Sequence, residues 1–183
     1  MNALTPMLIL AVALLAVFFE ASFDAPRRWL GAQVDLLPGL MVYVSLSSNL
    51  LMVLAFALVS GFALDSLSAN PPGTTVLPLL VLGAIIQRFR HLLLSGEIYA
   101  QWLLGLGASA GVPIASVLLL LALGGDPLVS WGSLWQWLVM AAVGSVLTPL
   151  YFLIFDRLRW MFGYRPMSET SFRPDRQIAR GRN

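Results

Sequence analysis

Long apolar segments with almost no charges constrain this chain more than any other feature. Leu8–Phe19, Leu50–Leu64 and Tyr99–Leu123 contain no charged residue. Only 11% of the 183 residues are charged and 58% are hydrophobic, whereas a soluble domain carries roughly 25% charged residues. The polar side chains are too few to cover a soluble core of this length. The sequence therefore predicts an integral membrane protein, and continuous apolar runs favour helices over a barrel.

The lengths of these runs predict an all-α membrane protein with about six short transmembrane helices in a small bundle, five being the alternative, at about 20 residues per span. The predicted spans cover approximately residues 4–20, 34–47, 49–65, 74–88, 99–123 and 134–155. A single helix over 36–64 would be about 43 Å long against a hydrocarbon core of about 30 Å, so two helices joined near 47–49 are favoured. The transmembrane domain is placed at 1–163, and 164–183 is predicted as a disordered, Arg-rich cytoplasmic tail.

The arginines predict the orientation. All eleven basic residues are Arg, and six spans would place nine of them on one side, namely Arg88, Arg90 and the seven from Arg157 onward. Arg27 and Arg28 fall on the other side. The positive-inside rule then predicts both termini in the cytoplasm, whereas five spans would place the amino terminus outside. The arginine cluster is interpreted as a topology signal, and contact with nucleic acid or anionic lipid is the alternative.

Catalytic and metal-binding patterns are weak. The segment from Gly107 to Gly111 matches G-x-S-x-G, but a serine hydrolase needs that motif on a strand–turn–helix elbow, and here it lies in an apolar helical run. Gly105, Gly107, Ser109 and Gly111 are instead predicted to let helices pack closely. His91 is the only histidine, it is placed in a loop, and the chain has no cysteine. We therefore predict no enzyme, no cofactor and no metal site.

Acidic residues collect on the predicted outer side of the six-span arrangement. These are Glu20, Asp24, Asp35, Asp65 and Asp126. They are interpreted as solvated, with an outer-face cation site as the alternative. No charged residue lies deep in a predicted span, which argues against a proton-coupled pump or an ion channel.

A face of small residues leads to one of these acids. Ala57, Gly61 and Asp65 are spaced i, i+4 and i+8, so they share one face of a helix. Small residues let another helix approach in lipid, and a carboxylate at the end of a span is costly unless it is wetted or paired. We predict a partner contact at this face, with Gly73 in the following turn. The alternative is an ordinary span end whose Asp65 faces water.

Residues 36–88 and 147–158 resemble MreD, the small membrane protein of the bacterial rod-shape operon. The segments that carry the resemblance are LLPGLMVYVSL, GFALDSLSANPPGTTVLPLLVLG and TPLYFLIFDRL. The matching positions are Pro38, Gly61, Phe62, Asp65, Gly73 and Pro149. The chain departs from the pattern in the Ser-Leu-Ser after Asp65, in an extra Pro-Pro in the turn and in a longer Arg-rich tail.

The resemblance implies a non-enzymatic scaffold of the cell-elongation complex in the bacterial cytoplasmic membrane. Its implied partners are an MreC-like bitopic protein, the actin-like MreB, RodA and a class B penicillin-binding protein. We predict that the small-residue face contacts the MreC-like partner and that Arg88 and Arg90 make secondary contacts on the cytoplasmic side.

Two other functions stay open at this point. Six short helices also resemble the substrate-binding subunit of an energy-coupling-factor vitamin transporter, with a pocket near the outer ends lined by Trp29, Asn70 and Asp126. The other alternative is an intramembrane enzyme that uses Ser109.

Overall fold

The computed structural model describes residues 4–22, 25–68, 71–91, 98–125 and 130–161. It contains seven helices and no strand within those ranges, which confirms the all-α prediction. The helices are α1 (Leu4–Ser22), α2 (Ala25–Leu30), α3 (Leu37–Ser47), α4 (Leu50–Leu67), α5 (Val76–Phe89), α6 (Ile98–Ala122) and α7 (Trp131–Met161). The predicted tail, 164–183, lies outside the described residues.

Three of these helices, α4, α6 and α7, are long and apolar enough to cross a membrane, which indicates a membrane protein. The apolar parts of α1, α3 and α5 are shorter. A helix is present at each of the six predicted spans, and α2 is an additional short helix between the first two. The number of passes and the orientation stay predictions.

The predicted break between the second and third spans is confirmed, because α3 and α4 are separate helices with Ser48 and Asn49 between them. The guanidinium of Arg90 donates from Nη1 to the carbonyl oxygen of Ser48 at 3.3 Å. The end of α5 thereby satisfies a backbone carbonyl that the α3–α4 turn leaves without an intrahelical partner.

The short helix α3 lies at the centre of the bundle. Every residue from Leu37 to Ser45 is buried, and α3 packs against α1, α4, α5, α6 and α7. The Tyr43 ring meets Phe152 edge-on with centroids 5.0 Å apart and stacks on Phe155 at 4.5 Å. Eleven residues make a helix only about 16 Å long, so α3 fills only part of the length of the bundle.

Small residues let α6 and α7 approach closely. A Cβ added at Gly105 would lie 2.7 Å from the carbonyl oxygen of Gly144, and one added at Gly144 would overlap the side chain of Ser109. The packing role predicted for Gly105 and Ser109 is confirmed. Gly107 and Gly111 make no such close contact within the described chain, because a Cβ at either would meet nothing within 4 Å, so a packing role for them toward another chain stays a prediction.

Candidate functional site

The predicted partner face is buried inside the chain. Ala57 is fully buried, and Gly61 lies against the start of α5, where an added Cβ would be 2.8 Å from the Cα of Val76. The glycine therefore sets how closely the end of α4 approaches the start of α5. We call the end of α4, the turn at 71–75 and the first turn of α5 the α4–α5 corner.

Asp65 holds this corner together. It is only 3% exposed. Its Oδ2 accepts a hydrogen bond from the backbone N–H of Gly73 at 2.6 Å, and its Oδ1 accepts one from that of Thr75 at 3.1 Å. The Thr74 hydroxyl lies 3.3 Å from the same Oδ1. Both N–H groups belong to the turn that precedes α5, so Asp65 at the end of α4 fixes the turn from which α5 starts.

The burial of Asp65 overturns the alternative in which its carboxylate faces water. Gly73 serves the same arrangement, because its φ of +101° places it in a backbone region that side-chain-bearing residues rarely adopt. The turn can therefore aim the Gly73 N–H at the carboxylate. On α6, Ser116 donates its hydroxyl to the carbonyl oxygen of Thr74 at 3.1 Å, which ties the corner to a third helix.

The six residues predicted for partner contact do not form one site. Ala57, Gly61, Asp65 and Gly73 belong to α4 or to the α4–α5 corner. Arg88 and Arg90 are exposed at the opposite end of α5, about 20 Å away along a helix of 14 residues. The role of all six residues toward a partner stays a prediction. For the buried Ala57, Gly61 and Asp65, the structure adds a role inside the chain.

A second arrangement, which the sequence did not predict, is a cavity of about 330 Å³ with both polar and apolar walls beyond the amino terminus of α3. We call it the α3 cavity. Its polar wall includes Glu20, Gln33, Asp35, Ser116, Ser133 and Gln136. These residues come from distant parts of the chain and converge only because α3 is short. The sequence feature that could have indicated this cavity is Asp35, which directly precedes an apolar stretch too short to span a bilayer.

Two carboxylates hold the backbone at the start of α3. Glu20 Oε2 accepts a hydrogen bond from the N–H of Leu36 at 3.4 Å, and Asp35 Oδ1 accepts one from the N–H of Leu37 at 3.0 Å. The Tyr151 hydroxyl donates to the carbonyl oxygen of Leu36 at 3.4 Å. Non-helical backbone surrounded by membrane helices needs such partners, because no lipid group can supply them.

The environment of these acids differs from the solvation that the sequence suggested. Glu20 and Asp35 are half-buried. The interpretation of the outer acids as simply solvated is therefore wrong for Asp65 and incomplete for this pair. No group of three or more His, Cys, Asp or Glu residues that could hold a metal ion occurs in the described ranges.

The pocket that the sequence predicted for a vitamin carrier was assigned to residues other than those that line the α3 cavity. Trp29 is 90% exposed and does not line the α3 cavity, whose aromatic wall is Trp137. Asn70 and Asp126 lie outside the described residues.

The outer surface carries a third feature, an apolar groove of about 350 Å³ between α5 and α6. We call it the α5–α6 groove. The wall from α5 includes Leu77, Val81 and Ile85, and α6 contributes Gly111 and Ala115. Since a Cβ at Gly111 would meet nothing within 4 Å, the groove is open at this point.

Comparison of the chain with protein-family models finds no match, and comparisons with curated proteins and with solved structures find none either.

Proposed function

We propose that this chain is a non-enzymatic scaffold of the MreD type in the bacterial cytoplasmic membrane. In this proposal it crosses the membrane six times, keeps both termini in the cytoplasm and binds the membrane helix of an MreC-like bitopic protein. It thereby joins the cell-elongation complex that contains MreB, RodA and a class B penicillin-binding protein. The resemblance at residues 36–88 and 147–158 supports the assignment.

The observation that carries the proposal is the α5–α6 groove. Its apolar walls and its open glycine suit the side chains of a second membrane helix, because helices in lipid associate through close packing at small residues. Val81 and Ile85 are 57% and 53% exposed, so a docked helix would contact them directly. From Leu77 to Ile85 the groove follows α5 for about 12 Å, or two helical turns.

The α4–α5 corner supports the groove from inside. Gly61 fits against the first residue of α5, and Asp65 holds the turn that precedes that helix. The corner therefore positions α5, which forms one wall of the groove. In the proposal, Gly61, Asp65 and Gly73 affect the partner through the position of α5, while the exposed Arg88 and Arg90 remain available for contacts at its other end.

Replacing Gly111 by leucine is expected to reduce recovery of the MreC-like partner about tenfold, which corresponds to the loss of one close-packed contact of about 1.4 kcal/mol. A Cβ at this position meets nothing within 4 Å in the chain, so the added side chain would extend into the groove. The measurement is co-purification of the two tagged proteins in a mild detergent.

Gly107→Leu is the matched control. Gly107 lies one turn earlier on α6, also meets nothing within 4 Å, and does not line the groove. It should leave partner recovery unchanged. If both variants recover the partner as well as the unmodified protein does, the groove is not the docking site. If both lose the partner to the same extent, the partner contacts a different face of α6.

A second candidate function is the substrate-binding subunit of an energy-coupling-factor vitamin transporter. The α3 cavity favours it, because the cavity lies among helix ends that the six-span arrangement places outside. Mass spectrometry of the same purified material separates the two functions. A bound vitamin or a co-purifying ATPase module supports the carrier, whereas an MreC-like protein in stoichiometric yield supports the scaffold.

A further inference from the structure

The α3 cavity exists because one helix of the bundle is too short to fill it. The first turn of α3 lies beside Thr148 and Tyr151, to which Gly39 is close. Thr148 and Tyr151 belong to α7. Nearer the amino-terminal end of α7, residues from Ser133 to Met140 line the cavity. The space that a full-length α3 would occupy is thus left open between the carboxyl-terminal half of α6 and the amino-terminal part of α7.

The charge in this space is negative and incompletely compensated. The backbone N–H groups of Leu36 and Leu37 use one oxygen of Glu20 and one of Asp35, namely Oε2 and Oδ1. Gln33 also bonds to the Glu20 side chain. No basic side chain forms an ion pair with either carboxylate among the described residues.

One cation lies nearby. Arg27 lines an adjoining cavity of about 440 Å³ that shares Glu20 and Gln33 with the α3 cavity. Arg27 is exposed and does not line the α3 cavity itself. Even one ionised carboxylate of this pair outweighs the partial positive charge of the α3 amino terminus, which is about half a unit charge.

The rest of the cavity wall is largely apolar and includes one aromatic side chain. Leu64, Val112 and Met140 line it together with the indole of Trp137. A volume of about 330 Å³ is at the lower end of the range for small-molecule pockets. The site is thus sized for a compact organic molecule with a charged end and an apolar body.

We propose that the α3 cavity binds a small organic ammonium ion, with its ammonium group donating to Glu20 and Asp35 and its apolar body beside Trp137 and Met140. Ionisable side chains among membrane helices are costly and are retained mainly where they serve a ligand or an ion. A divalent metal fits less well, because it needs more oxygen ligands than the two carboxylates provide. The proposal is independent of the scaffold function, which uses the outer surface of α5 and α6.

The test uses the full-length protein in mild detergent and three probes of nearly equal size and different charge. These are benzylammonium, benzyl alcohol and benzoate. At the same millimolar concentration, benzylammonium is expected to raise the midpoint of thermal unfolding by several degrees, because a ligand that binds only the folded state stabilises it by mass action. Neither the alcohol nor the anion should do so. Calorimetric titration of the unmodified protein should give the same ranking.

Glu20→Gln and Asp35→Asn isolate the charge. Each amide keeps an oxygen that can accept the backbone N–H of Leu36 or Leu37, so capping of α3 is preserved while the charge is lost. Each change is expected to weaken benzylammonium binding about tenfold, since bonds to charged groups are roughly twice as strong as neutral ones. Asp156→Asn, an exposed acid on α7 outside the cavity, should bind as the unmodified protein does.

Three results would overturn the proposal. Equal shifts with all three probes would mean partitioning into apolar surface. A benzylammonium shift that survives in both amide variants would place the binding elsewhere. No calorimetric signal with benzylammonium on the unmodified protein would mean that Glu20 and Asp35 serve only as caps for α3. The calorimetric comparison needs no variant, so it decides the matter even if an amide variant folds poorly.

Discussion

Replacing Asp65 by alanine is expected to lower the free energy of unfolding by about 3 kcal/mol, because it leaves two backbone N–H groups of the turn before α5 without an acceptor. The N–H of Gly73 lies 2.6 Å from Oδ2 and that of Thr75 lies 3.1 Å from Oδ1. Asp65 is buried, so water cannot easily replace the carboxylate. Denaturant titration in detergent micelles measures the change.

Two further variants serve as comparisons for the Asp65→Ala result. Asp65→Asn keeps one acceptor oxygen but turns an amide toward N–H donors, so it should lose a smaller amount of stability. Asp156→Ala removes an exposed acid and should stay within about 0.5 kcal/mol of the unmodified protein. Equal stability of Asp65→Ala and the unmodified protein would show that these hydrogen bonds contribute nothing.

Replacing Gly61 by leucine is expected to destabilise the fold by about 3 kcal/mol, at the upper end of the usual cost of overpacking. A Cβ at this position would already lie 2.8 Å from both the Cα and a side-chain methyl of Val76. The backbone atom cannot rotate away, so α4 and α5 must separate. The measurement is again unfolding in detergent, with Gly107→Leu as the control because Gly107 has open space around it.

A double variant tests the stated cause. Gly61→Ala combined with Val76→Ala removes the methyl contact but keeps the backbone contact, so it should recover only part of the stability that Gly61→Ala loses. The same variants also address the partner. If Gly61→Leu retained full stability but lost the MreC-like protein, Gly61 would contact the partner directly, as the residue spacing first suggested. Loss of both would fit its position inside the corner.

The α4–α5 corner shows how far residue spacing can reach. The spacing of Ala57, Gly61 and Asp65 predicted a close approach by another helix and a carboxylate in need of a partner. Both features are present, but the approaching helix is α5 of the same chain, and the partners are N–H groups eight and ten residues farther on. Sequence spacing describes one face of one helix and carries no information on which helix covers it.

The burial of individual leucines shows a different limit. Leu40 on α3 is fully buried, while Leu103 on α6 is 72% exposed, and both lie in uniformly apolar stretches. In a soluble protein the polar face would have marked the outside. Lipid is as apolar as the protein core, so the alternation that identifies a buried face is missing here. The central position of α3 therefore could not be predicted from its composition.

The sequence by itself determined the class of the protein, the positions of its apolar helices and the break between α3 and α4. These follow from local properties, namely charge density, the length of apolar runs and the turn residues between them. Only the tertiary structure decided that Asp65 holds the turn before α5, that α3 is central and that Glu20 and Asp35 share a cavity with Trp137. Those relations join residues up to 117 positions apart. They depend on which helices pack together, and in a chain that is apolar on every side this choice is made by shape and hydrogen bonding rather than by hydrophobic pattern.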